Sequence, residues 1–383
     1  MLTTAACHEG AVLTGGVSVA TDDKPIAATS KTSPPYVVTM WDIARAAGVS
    51  QSTVSRVLSG RHSAVPIAPD TRQRILEEAR RLRYRPNPLA SGLRGARTML
   101  LGVIVREITD PFFAGAIEAV SSESAARGYN VVLGHAHGRA EEAIALRAVL
   151  ETRHTDAILL LGDTSDQPRI LEDLRNTPVP VVAMWQGGPL EGVRTVNVDN
   201  RAGVQALVQH LVELGHRRIA FVAGRPLGDI QERRTAFEET MRELEESVPD
   251  DYIEQVASDP GEGVVALTRL MSLPIPPTAV IASTDVLAIG ILSGAHRLGL
   301  RVPGDLSVVG FDDIPMSAFT VPSLTTVRMP VAEMAAVAVR EAIDHGRADR
   351  DGPDEHVLEP SLVVRESSGE ATMEERARGV PAS

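Results

Sequence analysis

Residues 38–58 carry the sequence VTMWDIARAAGVSQSTVSRVL, and this stretch decides the fold of the N-terminal part of the chain. Apolar side chains recur three and four residues apart over 40–47, which predicts a short helix with one buried face. Gly48 can adopt a left-handed backbone at the following turn. Ser50 can cap a second helix, which is predicted over 51–59.

The residues around this stretch complete a small all-α unit. Ala44, Gly48 and Val54 have the spacing of a helix-turn-helix, in which a small residue, a turn and an apolar anchor let two helices pack. Plain three-helix bundles share this spacing, so the spacing alone does not assign a function. A third helix is predicted over 69–82, and the whole unit is expected to span 37–85.

Charge is distributed unevenly along the chain. The 383 residues carry a formal net charge of −12, yet residues 37–97 hold eleven arginines, no lysine and four acids, which gives +7. The remaining residues therefore carry −19. A basic block on an acidic body indicates a DNA-binding head joined to a different domain. Two prolines at 86 and 88 interrupt the helical pattern, so residues 86–97 are predicted to form a hinge.

From residue 98 onward, apolar strands alternate with amphipathic helices, and the pattern runs through twice. Apolar strands between helices predict parallel sheets that are covered on both faces. The expected fold class is α/β: an N-terminal all-α helix-turn-helix head, a hinge, then two Rossmann-like lobes with a ligand cleft between them. Strands are predicted over 99–105, 130–134, 157–161, 180–184, 218–223, 253–256, 279–282, 307–310 and 362–365, and helices over 113–127, 140–152, 167–176, 201–214, 231–246, 261–272, 285–298 and 330–345.

Composition excludes several classes of protein. A single cysteine, Cys7, rules out a disulfide scaffold. The longest apolar stretch, 99–105, is far shorter than the roughly 18 residues of a membrane helix, so no membrane partner is expected. Residues 1–36 lack the pattern of a secretory signal and are expected to be a disordered leader, and residues 369–383 a disordered tail.

No catalytic centre is predicted. The chain lacks a Gly-rich phosphate loop, a G-x-S-x-G elbow, an S-x-x-K motif and a zincin helix. His135-Ala136-His137 follows a strand without a further spaced set of ligands, so a loop pair is expected rather than a metal site. We therefore expect neither an enzyme nor a bound cofactor or metal.

Longer motifs connect the chain to a known family. Residues 38–58 and 71–94 closely resemble the head of the LacI/GalR family of bacterial repressors. The body is similar to the family over the rest of 37–368, and the matching motifs are Asp110-Pro111-Phe112-Phe113, Val198-Asp199-Asn200, Leu214-Gly215-His216-Arg217-Arg218 and Gly310-Phe311-Asp312-Asp313. One departure is the loop over 60–67, which is about three residues longer than the family's usual connection.

The resemblance implies which side chains contact DNA. Gln51, Ser52 and Arg56 occupy the family's base-reading positions, and Gln pairs bidentately with adenine as Arg does with guanine. Ordinary exposed polarity is the alternative for Gln51 and Ser52. The hinge is expected to fold on DNA and to wedge a side chain into the minor groove. Phosphate-contacting positions are Thr39, Ser50, Thr53, Ser55, Tyr84 and Asn87, and the minor-groove hinge positions are Ala90 and Leu93.

The resemblance also implies an effector site between the lobes. Arg233 and Asp312 match a ligand-binding arginine and carboxylate, for which a structural ion pair is the alternative. Thr284 stands where the family more often has an asparagine, and the aromatic residue often found near 259–260 is absent. A sugar or sugar phosphate is the family's default ligand. The complete expected set is Phe112, Trp185, Asp229, Arg233, Thr284 and Asp312.

The expected body, 98–368, binds the effector and dimerises. Lobe 1 is predicted over about 98–197 plus 328–358, and lobe 2 over about 198–327 plus 359–368. The function implied is that of a cytoplasmic, homodimeric transcriptional repressor, which binds a pseudo-palindromic double-stranded operator under control of a small molecule. A periplasmic-type solute-binding protein without a regulatory role is the alternative.

Overall fold

The structure is a computed structural model, and it describes residues 38–58, 66–84, 97–135, 140–152, 155–163, 172, 176–244, 248–344 and 354–371. The predicted leader, most of the hinge and most of the tail lie outside these residues, as do Asn87, Ala90, Leu93 and His137. The chain divides after Pro86 into two compact units.

The N-terminal unit is the predicted three-helix structure. Its helices are α1 (Met40–Ala47), α2 (Gln51–Leu58) and α3 (Pro69–Arg81). Gly48 has a φ of 64°, the left-handed conformation predicted for the turn. The Ser50 hydroxyl accepts the backbone N–H of Thr53 at 3.2 Å, which caps α2 as predicted. The helices pack around a small apolar core of Ile43, Ala44, Ala47, Val54, Val57, Ile75 and Ala79.

The second unit contains two six-stranded sheets with helices between their strands. The first sheet has the order β11-β5-β4-β3-β1-β2 and is parallel throughout. Its elements are β1 (Leu100–Val105), α4 (Pro111–Ala126), β2 (Asn130–His135), α5 (Ala140–Thr152), β3 (Ala157–Leu161), β4 (Val181–Met184), β5 (Arg194–Val198), α10 (Val331–Asp344) and β11 (Glu355–Leu358).

The second sheet has the order β12-β10-β9-β8-β6-β7 and is parallel except for β12. Its elements are α6 (Asn200–Glu213), β6 (Ile219–Ala223), α7 (Gly228–Glu243), β7 (Ile253–Gln255), α8 (Pro260–Met271), β8 (Ala279–Ala282), α9 (Asp285–Arg297), β9 (Ser307–Asp312), β10 (Thr325–Arg328) and β12 (Ser361–Val363). Among the described helices, none is long and apolar enough to cross a membrane.

The sequence pattern did not predict three of the strands: β5, β10 and β11. Each contains polar residues, so none forms the apolar run that a parallel strand usually shows. Asn197 in β5 is nevertheless buried, because its amide donates to the carbonyl oxygen of Gly188 at 3.0 Å. Strand β12 lies over Ser361–Val363 rather than over 362–365. The alternation of strands and helices confirms the α/β fold class with two parallel-sheet lobes.

The two sheets direct the ends of their strands toward one cleft. In open parallel sheets, ligands bind beyond the carboxyl ends of the strands, where the loops diverge. The first sheet places residues there after β1, β3 and β4, and the second after β6 and β8 and at the end of β9. The residues at these six points line a single cavity: Arg106, Gly162, Trp185, Arg225, Thr284 and Asp312.

Candidate functional sites

Helix α2 presents one polar face and one buried face. Val54 and Val57 are buried in the core, which orients the helix. On the opposite face Ser52 is exposed, and Gln51 and Arg56 are partly exposed. The three predicted base-reading residues therefore lie on one surface of one short helix. This is the arrangement that a recognition helix uses in the major groove.

Hydroxyl groups cluster at the start of α2. The Ser50 hydroxyl lies 2.8 Å from those of both Ser52 and Thr53. At the start of α1, the Thr39 hydroxyl and backbone N–H donate to the Asp42 carboxylate at 2.7 and 2.9 Å. Thr39 thus uses its donors within the protein, whereas the cluster around Ser50 lies at an exposed helix N-terminus, where anions bind well.

Two further features of this unit concern aromatic side chains. Tyr84, a predicted phosphate contact, packs against the apolar core of the three helices. Trp41 was not singled out from the sequence, yet its side chain is 66% exposed on α1. An exposed tryptophan is unusual in a unit this small and is typical of a contact surface.

The second site is the cleft of the second unit, a cavity of about 560 Å³. Pockets of roughly 300–1,000 Å³ hold small-molecule ligands. All six effector residues expected from the sequence line this cavity. The first lobe contributes Phe112 and Trp185, and the second lobe contributes Asp229, Arg233, Thr284 and Asp312.

Arg233 is the centre of the polar wall. Its side chain is 2% exposed, and its guanidinium carbon lies 3.7 Å from the centre of the Phe311 ring. Nε donates to the Asn200 amide oxygen at 2.8 Å, and Nη1 donates to the Ser283 carbonyl oxygen at 2.6 Å. Nη1 also lies 3.3 Å from Asp312 Oδ1, and Nη2 lies 3.6 Å from Asp229 Oδ2. Asp229 and Asp312 therefore both lie within ion-pair distance of one buried cation.

Three carboxyl groups of the cleft are harder to ionise than free aspartate. Burial raises the pKa of Asp110, of Asp229 and, most strongly, of Asp312. Arg233 opposes the rise at each of them. Asp312 also has a φ of 122°, a strained conformation for a residue with a side chain. Strained backbone and buried carboxyl groups are typical of a binding site.

An aromatic cluster forms the opposite wall. The rings of Phe112 and Trp185 meet edge to face with centroids 5.0 Å apart, and Phe113 lies 6.1 Å from Trp185. The Trp185 indole N–H is buried and has no hydrogen-bond acceptor among the described residues. Trp185 has a φ of 61°, a second strained backbone in the same cleft.

Thr284 has a structural role besides its place in the cleft. Its hydroxyl accepts the backbone N–H of Leu287 at 3.4 Å and so caps helix α9.

Outside the cleft, His135 Nε2 accepts the backbone N–H of Ile108 at 3.4 Å. Among the described residues there is no cluster of three or more His, Cys, Asp or Glu that could hold a metal ion.

Sequence reasoning missed several residues of the cleft. Their common signal is a position just beyond the carboxyl end of a strand, or on the loop that follows β9. That signal requires knowing which strands lie side by side, so it becomes usable only with the topology in hand. Missed residues with this signal include Arg106, Glu107, Asp110, Asp163, Arg225, Ser258, Ile314 and Met316, whereas Ile289, inside helix α9, was missed without it.

The fold and the cleft define a two-lobed α/β receptor whose chain also carries a helix-turn-helix unit. Residues 208–368 match the family described as "Periplasmic binding protein-like domain", and residues 39–87 match "Bacterial regulatory proteins, lacI family". The HTH-type transcriptional repressor CytR of Escherichia coli (strain K12) is 34% identical over 334 residues, which cover 86% of this chain and 96% of CytR. The chain belongs to the LacI family of bacterial regulatory proteins.

Solved structures agree with this assignment. The cellobiose complex of the transcriptional regulator CelR has a TM-score of 0.64 at 30% identity, and the match covers 86% of this chain and all of CelR. The lac repressor dimer bound to operator and the anti-inducer ONPF has a TM-score of 0.77 at 24% identity, covering 87% of this chain and all of that chain. The latter likeness shows the shared fold.

Proposed function

We propose that this chain is a sequence-specific transcriptional repressor, acting in the cytoplasm without catalysis or a cofactor, whose operator affinity depends on a small molecule in the cleft. The observation that carries the proposal is that the six residues expected from the family resemblance line one cavity, in a chain that also has the lacI-family head. A solute-binding protein would have no use for that head, so the solute-binding alternative is not favoured.

In this proposal α2 reads base edges in the major groove. Gln51, Ser52 and Arg56 make the base contacts, and the hydroxyl cluster around Ser50 binds phosphate with Ser55 and Tyr84. Thr39 joins this set when its hydroxyl turns from the Asp42 carboxylate to a phosphate. Asn87, Ala90 and Leu93 complete the interface from the hinge. Selection from a randomised pool of duplexes should return a pseudo-palindrome, because two heads related by two-fold symmetry read two half-sites.

Replacing Arg56 with alanine is expected to weaken binding to the selected duplex by about 1–3 kcal/mol and to relax one base position in each half-site. The measurement is a titration against the selected duplex and against duplexes changed at single positions. Arg81→Ala is the control, since it also removes one positive charge, but from an exposed ion pair with Glu78 on α3. Equal losses on selected and random duplexes would contradict base reading by Arg56.

The charge of the cleft favours an uncharged polyhydroxyl effector, such as a sugar. Six carboxyl groups line the cavity against three guanidinium groups, so even with Asp110, Asp229 and Asp312 protonated the cleft has no net positive charge to attract an added phosphate. Carboxylates and Arg233 suit hydroxyl groups, and the aromatic wall suits an apolar ring face. The carboxyl groups are those of Glu107, Asp110, Asp163, Asp229, Asp259 and Asp312, and the guanidinium groups are those of Arg106, Arg225 and Arg233.

Tryptophan fluorescence provides the screen for the effector. The chain has two tryptophans, Trp41 and Trp185, so a Trp41→Phe variant leaves the cleft indole as the sole reporter. Uncharged sugars, their phosphates and nucleosides are titrated against this variant. The proposal expects an uncharged ligand to change the emission and its phosphorylated counterpart to bind more weakly. Tighter binding of the phosphorylated member would contradict the charge argument.

An exposed apolar loop supplies the proposed contact between two copies of the chain. Met316, Phe319 and Val321 are 56%, 79% and 96% exposed in the loop that follows β9. A contiguous exposed apolar patch on a folded domain commonly marks an interface. Reciprocal coupling then follows, because a ligand that favours one arrangement of a dimer changes its affinity for DNA, and DNA changes its affinity for the ligand.

Phe319→Asp is expected to raise the dissociation constant of the dimer by about 30-fold or more, since buried aromatic anchors contribute roughly 2 kcal/mol or more at interfaces. Sedimentation over a concentration series measures the shift. Ile275→Asp is the matched control, because Ile275 is 58% exposed elsewhere on the second lobe. A dimer that survives Phe319→Asp unchanged would place the interface on another surface.

A further inference from the structure

The two lobes meet backbone to backbone beside the cleft. Gly187, in the turn after β4, lies against Gly228, the first residue of α7 in the second lobe. A Cβ added to Gly187 would lie 2.1 Å from the carbonyl carbon of Gly228 and 2.4 Å from the backbone nitrogen of Asp229. A Cβ added to Gly228 would lie 2.4 Å from the carbonyl oxygen of Gln186. Only glycine at both positions allows this approach.

A carboxylate joins the lobes at the same point. Asp163 of the first lobe is 2% exposed, and its Oδ2 accepts the backbone N–H of Gly228 at 2.5 Å. Gly228 begins a helix of sixteen residues, whose first N–H groups lack partners within the helix and carry partial positive charge. A buried carboxylate is a strong acceptor for such a group. Arg106 donates to the backbone carbonyl of Asp163 and so helps to hold this residue in place.

The surface that the first lobe presents is held in place by its own bonds. The backbone N–H of Gln186 donates to the Asn197 amide oxygen at 2.9 Å, and the Asn197 amide nitrogen donates to the Gly188 carbonyl at 3.0 Å. The Gln186 amide nitrogen donates to the Gly162 carbonyl at 2.7 Å. These bonds lie within the first lobe and involve no atom of the second.

Helix α7, whose first residue contacts Gly187, also contributes polar side chains to the cleft. Asp229 and Arg233 follow Gly228 on α7, and Trp185 precedes Gly187 in the turn. Contact between Gly187 and Gly228 therefore sets the distance between the polar and the aromatic wall. All the atoms of the contact belong to the chain itself.

We propose that Asp163, Gly187 and Gly228 form a latch that holds the two lobes closed and thereby assembles the effector cleft in the free protein. The latch goes beyond the proposed function, and only its effect on ligand affinity rests on that function. A protein whose lobes open more often spends less time in the arrangement that the effector and the operator recognise, so its affinity for both changes. The closed contact itself does not depend on the identity of any ligand.

Hydrogen exchange of the full chain tests the latch, because the Gly228 amide is bonded to the other lobe. Gly187→Ala and Asp163→Ala are each expected to raise the exchange rate in a peptide spanning 227–231 by about tenfold or more. A tenfold change corresponds to weakening the charge-assisted hydrogen bond by roughly 1.4 kcal/mol. Gly188→Ala is the matched control. Gly187 and Gly188 both have positive φ, 66° and 148°, but a Cβ on Gly188 meets nothing within 4 Å.

Hydrogen exchange at 227–231 tests the latch, and affinity for the selected duplex tests its effect on function, so the two can fail independently. If neither Gly187→Ala nor Asp163→Ala exchanges faster at 227–231 than Gly188→Ala, the latch is overturned. If both do, the latch stands, and a titration with the selected duplex tests its consequence: we expect both variants to differ in affinity from Gly188→Ala by about fivefold or more. Unchanged duplex affinity would overturn the regulatory role alone. Failure of the wild-type chain to select any duplex would overturn the proposed function, while exchange still decides the latch.

Discussion

Arg233→Met is expected to abolish effector binding and to destabilise the second unit by about 3–5 kcal/mol, the cost of leaving a buried ion pair with one partner. Methionine keeps most of the volume of the side chain but removes five donors. Asp312 then loses its cation at 3.3 Å, and Asn200 and the Ser283 carbonyl each lose a donor. Chemical denaturation measures the stability, and Trp185 emission in a Trp41→Phe background measures effector binding.

The chain offers a matched control on the same helix. Arg234 is the neighbour of Arg233, but its side chain is about one-third exposed and pairs with Glu238 at 2.9 Å on the surface. Surface ion pairs contribute roughly 0–1 kcal/mol, so Arg234→Met should leave stability and effector binding nearly unchanged. Similar losses in both variants would show that the helix, rather than the buried guanidinium, is sensitive to the substitution. Normal effector binding in Arg233→Met would place the effector elsewhere.

The second large effect is expected for Asp285→Ala, which should lower the free energy of unfolding by about 3–5 kcal/mol and disorder the loop after β9. Asp285 is fully buried, and its Oδ2 accepts the backbone N–H of Ile314 at 3.0 Å and the Ser317 hydroxyl at 2.6 Å. Its Oδ1 accepts the Thr326 hydroxyl at 2.5 Å. This loop contributes Ile314 to the cleft wall, so the same variant should also weaken effector binding.

Asp285→Asn separates the shape of this residue from its charge. Burial raises the pKa of Asp285 to about 6, and the like charge of Asp313 adds to the rise. The folded state therefore binds more protons than the unfolded state between about pH 4 and pH 6, and this group lowers stability as the pH rises through that range. Asparagine resembles the protonated carboxyl group: its oxygen can accept the Ile314 and Ser317 bonds, and its nitrogen can donate to Thr326.

The free energy of unfolding of Asp285→Asn, minus that of the wild type, is thus expected to increase from pH 4 to pH 6 and to become constant above about pH 7. Comparing the two proteins at each pH cancels the contribution of every acid that does not interact with Asp285; Asp312 and Asp313 do interact with it. The cancellation matters because Asp305, whose pKa is held at about 2 by its hydrogen bond with Arg301, shifts stability in the opposite direction. A difference that is constant from pH 4 to pH 7 would mean that Asp285 does not titrate there.

The N-terminal unit shows how far sequence reasoning reaches. The apolar spacing of Ile43, Ala44 and Ala47, the turn at Gly48 and the cap at Ser50 are local features, and the structure confirms each of them. The apolar strands of the second unit were found for the same reason, because a run such as Leu100–Val105 is recognisable without its neighbours. The domain boundaries and the roles of the side chains stay predictions.

The cleft shows what could not be predicted from the sequence. Arg233 and Asp312 were expected from motif resemblance, but Arg106, Asp110 and Asp163 were not, since each becomes a wall residue only when separate strands end side by side. Strand β11 was missed because its side chains are mostly half-buried at a sheet edge, where polar residues are tolerated.

The sequence by itself determined the helix-turn-helix, the α/β alternation and the basic head on an acidic body, because periodicity, caps and charge are properties of residues near one another in the chain. Only the tertiary structure decided that Gly187 and Gly228 touch, that Arg233 is enclosed by Asn200, Ser283 and Asp312, and that Asp285 binds a loop some thirty residues away. Such contacts depend on which strands become neighbours, and no local pattern records that choice.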